Sequence, residues 1–196
     1  EVLRKLTSTA RDPHFESLQW LSSTGAWAPD GERFALAAIT KGDPVIVVFD
    51  PRTGDKLKEI RVPEVGEIFN PTWSPGGDRI AFSAQIAGFT DLYVLDLESE
   101  QVRRLTNDQF ADLQPSWAPD GSGIALVTDR YGSDPDQLHF PAYRLALVDP
   151  STGEMEPLPS FGEGKHINPQ WGPEGRDLYF VSDRNGVSNV YRLDRR

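Results

Sequence analysis

Four stretches of the chain share one pattern of apolar and polar positions. In "WAPDGERFALAA", "WSPGGDRIAFSA", "WAPDGSGIALVT" and "WGPEGRDLYFVS" a tryptophan precedes a short polar run, after which bulky apolar residues return at every second position. Phe34 and Leu36, Ile80 and Phe82, Ile124 and Leu126, and Leu178 and Phe180 carry the bulk, with Ala35, Ala81 and Ala125 between them. A period of two predicts strands, and an apolar residue on either side of each bulky one predicts strands buried on both faces, one bulky and one thin. In the polar run, Pro29, Pro75, Pro119 and Pro173 pre-set φ and Gly31, Gly77, Gly121 and Gly175 supply a positive φ, while Asp30, Asp120 or Glu174 fills the polar position. Each W-x-P-x-G is therefore predicted to join two antiparallel strands.

The pattern is a repeat. Trp27, Trp73, Trp117 and Trp171 are spaced by 46, 44 and 54 residues, and Gly42, Gly88, Gly132 and Gly186 each follow a Trp by 15. A third strand is predicted at "VIVVFD", "LYVLDL", "RLALVD" and "VYRLD", closing on Asp50, Asp96, Asp149 and Asp194, and a fourth at "KLKEIRV", "QVRRLT" and "MEPLPS". The last unit has no fourth strand, but "RKLT" at 4–7 matches "RRLT" at 103–106. The units fall at about 21–63, 64–107, 108–161 and 162–196, with 1–7 as a completing outer strand. A lone sheet of this kind would leave two apolar faces in water, and stacking copies radially covers both.

With its "W-[SAG]-P-x-G" core, "SDR-x-G" hairpin and "RRLT" strand, the unit resembles the TolB-like β-propeller repeat, a relative of WD-repeat propellers. The resemblance covers nearly the whole chain. It implies an all-β propeller of four-stranded antiparallel blades, about four of them here, alone or as part of a larger ring. It also implies a bacterial periplasmic or other extracytoplasmic setting and protein partners.

Composition narrows the partners. A net charge of −10 and a pI near 4.7 repel a phosphate backbone, so no nucleic acid partner is expected. No apolar run approaches the ~20 residues of a membrane helix, and no membrane insertion is expected. Without cysteine there is neither a disulfide nor a thiolate metal site. The chain begins at Glu1 with no signal-peptide pattern after it, which is read as a processed or excised piece.

Catalytic motifs are missing from the sequence. His14, His139 and His166 form no H-E-x-x-H, there is no G-x-S-x-G, and the glycines keep the period of the hairpins instead of forming a phosphate loop. No intrinsic enzyme activity, cofactor or metal is expected. The repeated tryptophans are assigned to packing, and Asp129 with Arg130 and Asp183 with Arg184 to turn caps or blade-to-blade ion pairs. A nine-residue excess in the third unit contains Asp129, Asp134 and Asp136, oxygen ligands of the type calcium uses. Their spacing fits no EF-hand and Pro135 suits a solvated turn, which is the preferred reading. His139, Phe140 and Tyr143 make the same loop a candidate contact surface.

The segments before each Trp, "GEIFNPTW", "ADLQPSW" and "KHINPQW", are the candidate binding site. The resemblance places them where the chain passes from one blade to the inner strand of the next, at the mouth of a central channel. Binding residues are assigned as His166, Asn168, Asn70, Gln114 and Asp112, drawn from three blades toward one axis. A second reading has Asn and Gln before Pro simply satisfying loop backbone groups. An N-terminal excess, "ARDPHFESLQWLSST", places Trp20 outside the repeat as a cover for one channel end or a partner anchor.

The expected function is a non-catalytic binding or scaffold propeller that presents its mouth to a protein or peptide. The alternative is an accessory, substrate-filtering propeller of a peptidase, prolyl oligopeptidase-like, tricorn-like or metallopeptidase-linked, whose catalytic domain lies outside this chain. In isolation, the free outer strand at 1–7 and the open edge near "NVYRL" predict a strand-exchanged homodimer.

Overall fold

The computed structural model describes residues 17–18 (backbone only), 25–133, 137, 139 and 142–195. Four antiparallel sheets follow one another along the chain. The first holds β1 (Ser17–Leu18), β2 (Ala26–Trp27), β3 (Phe34–Thr40), β4 (Asp43–Phe49) and β5 (Lys56–Arg61), with β1 and β2 both on one edge of β3. The second runs β6 (Glu67–Trp73), β7 (Arg79–Ile86), β8 (Phe89–Asp96), β9 (Val102–Arg104) in sequence order. The third is β10 (Asp112–Trp117), β11 (Ile124–Thr128), β12 (Arg144–Val148), β13 (Met155–Pro157). The fourth has three strands among the described residues, β14 (His166–Trp171), β15 (Asp177–Ser182) and β16 (Asn189–Asp194). The chain is thus all-β, with sheets of the kind that form propeller blades. Among the described residues no strand of the first sheet contacts one of the fourth, so a closed ring is not seen.

Local chemistry explains each hairpin. In all four W-x-P-x-G turns the glycine has φ between 67° and 76° and its N–H donates to the carbonyl of the residue after Trp, at 2.9 to 3.0 Å. Lys41-Gly42 and Ala87-Gly88 both have two positive φ angles, the geometry of a two-residue I′ hairpin. The aspartates that close the third strands cap the next turn: Asp50, Asp96 and Asp149 accept backbone N–H bonds from the residues two and three further on. Those amide donors hold the three carboxyls below the ordinary 3.8.

Sheet packs on sheet through the repeated tryptophan. Trp73 and Trp117 are buried, and the Trp73 and Trp171 Nε1–H groups donate to the Ala26 and Ser116 carbonyls of the preceding sheet at 3.0 Å. Arg33 and Arg79 lie over the Trp73 and Trp117 rings of the following sheet, 4.8 and 5.1 Å from their centroids. The turn glycine has a second role here, because a Cβ on Gly77 would stand 2.7 Å from the Arg33 guanidinium. Between these contacts lie apolar clusters: Ala35, Ala37, Ile46 and Val48 against Trp73, Ile80 and Phe82, then Ala81, Leu92 and Val94 against Trp117, Ile124 and Leu126. A third cluster joins Ala125, Val127 and Leu145 to Leu178 and Phe180.

Two ends of this stack depart from the repeat. Trp27 is 59% exposed, because no sheet precedes its own among the described residues. Val190 is 71% exposed although its counterparts Leu92 and Leu145 are fully buried. The expected outer strand at 1–7 and Trp20 lie outside the described residues. The first sheet begins at Ser17, ahead of the expected boundary at 21, because β1 pairs through Ser17–Ile39 and Leu18–Ala38.

Chemical denaturation should separate the packed indole from the exposed one. Trp73→Ala removes a buried ring and is expected to cost about 3–5 kcal/mol. Trp27→Ala is expected to cost less than about 1 kcal/mol. Equal losses for the two would refute the assignment of Trp73 to inter-sheet packing.

Candidate functional site

The inner strands β6, β10 and β14 share an irregularity that builds the site. In each, the register to the second strand shifts by one residue, between Phe69 and Thr72, Leu113 and Ser116, and Ile167 and Gln170. The extra residue sits in an Asn-Pro or Gln-Pro pair, and Asn70, Gln114 and Asn168 adopt φ of 49°, 53° and 54°. Proline cannot continue the ladder, and a bulge leaves one residue unpaired and turns its side chain out of the alternation. In the first sheet the register to β3 also shifts, from Leu18–Ala38 in β1 to Ala26–Ala35 in β2, and Gly25, just before β2, has φ 79°.

These bulges converge. A cavity of about 450 Å³ is lined from all four sheets, by Trp27 from the first, Asn70 and Thr72 from the second, Gln114 from the third, and Asn168 and Gln170 from the fourth, with intervening prolines. Three of the five expected site residues, Asn70, Gln114 and Asn168, thus line one cavity. Gln114 also supports the wall, since its Oε1 accepts the Asn168 backbone N–H at 2.8 Å. Gln170 and Thr72 were not among the expected residues. Their signal was available: each stands immediately before a repeat Trp, at the inner strand's end.

Asp112 and His166 lie elsewhere. Both are fully buried and occupy the position that Ile68 fills in the second sheet. His166 Nε2 lies 3.1 Å from the Phe161 carbonyl, which can only accept, so the proton is assigned to Nε2. Its ring is 5.7 Å from Phe161 and 5.4 Å from Phe180, and the Arg184 guanidinium covers Phe161 at 3.8 Å.

Asp112 belongs to an acidic cluster between the second and third sheets. Carboxylate oxygens of Asp91, Asp108 and Asp112 lie within 4.8 Å of one another. Arg130 bridges Asp108 at 2.8 Å and Asp112 at 3.1 Å, while Arg104 pairs with Asp91. Thr106 Oγ1 accepts the Leu92 N–H at 2.9 Å, which ties "RRLT" to the same cluster. The two guanidiniums supply the positive charge that a cation would bring. Burial pushes the Asp112 carboxyl up from 3.8 to about 6, against the nearby Thr106 and Thr128 hydroxyls and the pull of Arg130.

The other charged pairs close turns. Asp129 Oδ1 and Asp183 Oδ1 accept the Ala111 and Lys165 backbone N–H groups, each at 2.8 Å, 18 residues upstream at the start of the same sheet. Asp134, Asp136 and Phe140 lie outside the described residues, and His139 is exposed. The chain has no cysteine, Asp91, Asp112 and His166 are engaged with Arg104, Arg130 and the Phe161 carbonyl, and no catalytic constellation is assembled among the described residues. No helix among the described residues is long and apolar enough to cross a membrane.

The profile of the TolB beta propeller domain matches residues 15–140. The TolB homolog of Chlorobium luteolum is 26% identical over 173 residues, covering 88% of this chain and 37% of that protein. An uncharacterized peptidase of Bacillus subtilis is 27% identical over 191 residues, covering 80% of this chain and 29% of its own length. Among solved structures, TolB from Acinetobacter baumannii superposes with a TM-score of 0.69 at 23% identity, covering 87% of this chain and 40% of that one. The chain therefore spans well under half the length of these proteins.

The buried Asp112 makes stability depend on pH with a defined sign. Its proton is held more tightly in the folded chain than in the unfolded one, so its contribution is fully present below about 3.8 and lost as pH rises through about 6. Relative to the parent, Asp112→Asn should gain about 1 kcal/mol in unfolding free energy between pH 5 and pH 8. Denaturant titrations at the two pH values measure this, and a relative loss toward high pH would overturn it.

Proposed function

Since the chain belongs to the TolB β-propeller domain family, we propose that it is a non-catalytic binding module whose partner, a protein or peptide, docks where the inner strands of the four sheets meet. The observation that carries this reading is the placement of Asn70, Gln114 and Asn168 from three sheets on one cavity, on backbone that the bulges remove from the ladder. A bulge turns such side chains out of the strand's alternation toward the cavity, where recognition is separated from the sheets that serve stability. The family likeness supports an extracytoplasmic setting. The net charge of −10 argues against a nucleic acid partner.

A second reading is favoured by the match to the Bacillus subtilis peptidase. There the same mouth would admit or exclude peptides on the way to a catalytic domain outside this chain. Narrowing it with Gln170→Trp would then slow cleavage of long peptides by the parent enzyme and spare dipeptides.

A photoreactive phenylalanine analogue at position 170, tested in cells, is expected to give a covalent protein adduct. The same group at Leu57, exposed on the outer strand β5, is expected to give none. Adducts from position 57 alone, or from neither, would overturn the mouth as the docking face.

A further inference from the structure

Among the described residues, the mouth cavity has an uncharged lining. None of the 12 residues that line it is titratable, in a chain where 26% of residues are Asp, Glu, Lys or Arg. What it offers instead is carboxamide: Asn70, Gln114, Asn168 and Gln170, with the Thr72 hydroxyl. Gln114 spends its Oε1 on the Asn168 N–H, so the end left for a ligand is its Nε2, a donor. The apolar part of the lining is flat, from Trp27, Trp73 and the prolines Pro29, Pro71 and Pro115. Trp27 is the exposed indole, whereas Trp73 is buried against the first sheet.

We propose that this cavity receives an uncharged, extended stretch of a partner polypeptide, rich in proline, with Trp27 as the apolar platform and the carboxamides as readers of its main chain. The inference rests on the reading of the mouth as the docking face and names what docks there. An extended or polyproline II segment makes no internal hydrogen bonds, so its carbonyls are unpaired acceptors. Carboxamide N–H₂ groups are neutral donors that meet such carbonyls without bringing a counter-charge. Aromatic faces beside such donors are the surface on which polyproline II segments dock, and ordering an already extended segment costs little entropy. A side chain bearing a charge would lose its hydration in this cavity and find no partner there. The net charge of the whole chain adds selection, since an acidic segment is also repelled at long range.

The test uses the full 196-residue chain and an N-acetylated, C-amidated hexapeptide of alternating alanine and proline, followed by tryptophan fluorescence and calorimetry. Expected are saturable binding and an affinity that changes less than about twofold between roughly 50 and 500 mM salt. Trp27→Ala should weaken binding at least about tenfold and Gln170→Ala roughly threefold, both with melting temperatures within about 3 °C of the parent. Replacing a central alanine of the peptide with aspartate or lysine should weaken binding by at least about tenfold. The inference is overturned if charged and neutral peptides bind alike, if affinity falls steeply with salt, if a neutral oligosaccharide binds and the peptide does not, or if neither binds. Should the peptide fail while the cross-link from position 170 persists, the mouth remains the docking face and only the identity of its occupant is wrong.

Discussion

The structure depends on one contact, the indole of the second, third and fourth sheets packed against the sheet before it. A sheet with bulky residues on one face and alanines on the other cannot stand alone in water. The Trp73 and Trp171 Nε1–H bonds to Ala26 and Ser116 set the depth at which neighbouring sheets meet. Arg33 and Arg79 then close the solvent side of the next indole. Where the third sheet has Gly123 in place of that arginine, Arg195 covers Trp171 from its own sheet at 5.5 Å. The covering charge is conserved in space even though its origin in the repeat changes.

That contact also accounts for what was legible in the sequence. Trp, Pro, Gly and the alternating apolar residues recur because every interface needs the same peg, turn and faces, and they located fifteen of the sixteen described strands. The remaining one, β1, was missed because Leu18 stands nine residues before its repeat Trp, where its counterpart Ile68 stands five before Trp73, so the period does not mark it. Trp27 was read as a packed residue like its counterparts. Its residue type is that of an interface, but the partner face is not present among the described residues, and no local signal records that.

The candidate site was half legible for a different reason. Asp112 with Gln114, and His166 with Asn168, are two residues apart, and in a regular strand such pairs share a face. The bulge between them destroys that equivalence. Positive φ at Gln114 and Asn168 turns these side chains to the cavity, while Asp112 and His166, still in the ladder opposite Thr128 and Ser182, remain inside. Asn and Gln before Pro do mark the break, but the direction of the turn follows from backbone angles and cannot be inferred from residue type alone.

The position shared by Ile68, Asp112 and His166 shows how far the scaffold separates stability from recognition. One buried site holds an alkyl group, a carboxyl and an imidazole, and each brings its own local solution: apolar packing, the Arg130 bridge, the Phe161 carbonyl. A buried polar group left without any such partner would cost about 1–3 kcal/mol, so the residue at this position and its neighbour are coupled. The cavity wall obeys the opposite rule. Asn168 and Gln170 face solvent, and exchanging one amide for another there disturbs no core cluster. Variation inside the sheets is therefore coupled, whereas an exposed wall residue such as Gln170 can vary alone, unlike Trp73, which lines the same cavity and belongs to the core. Such an exposed position changes without repacking the four sheets, whose clusters lie between them.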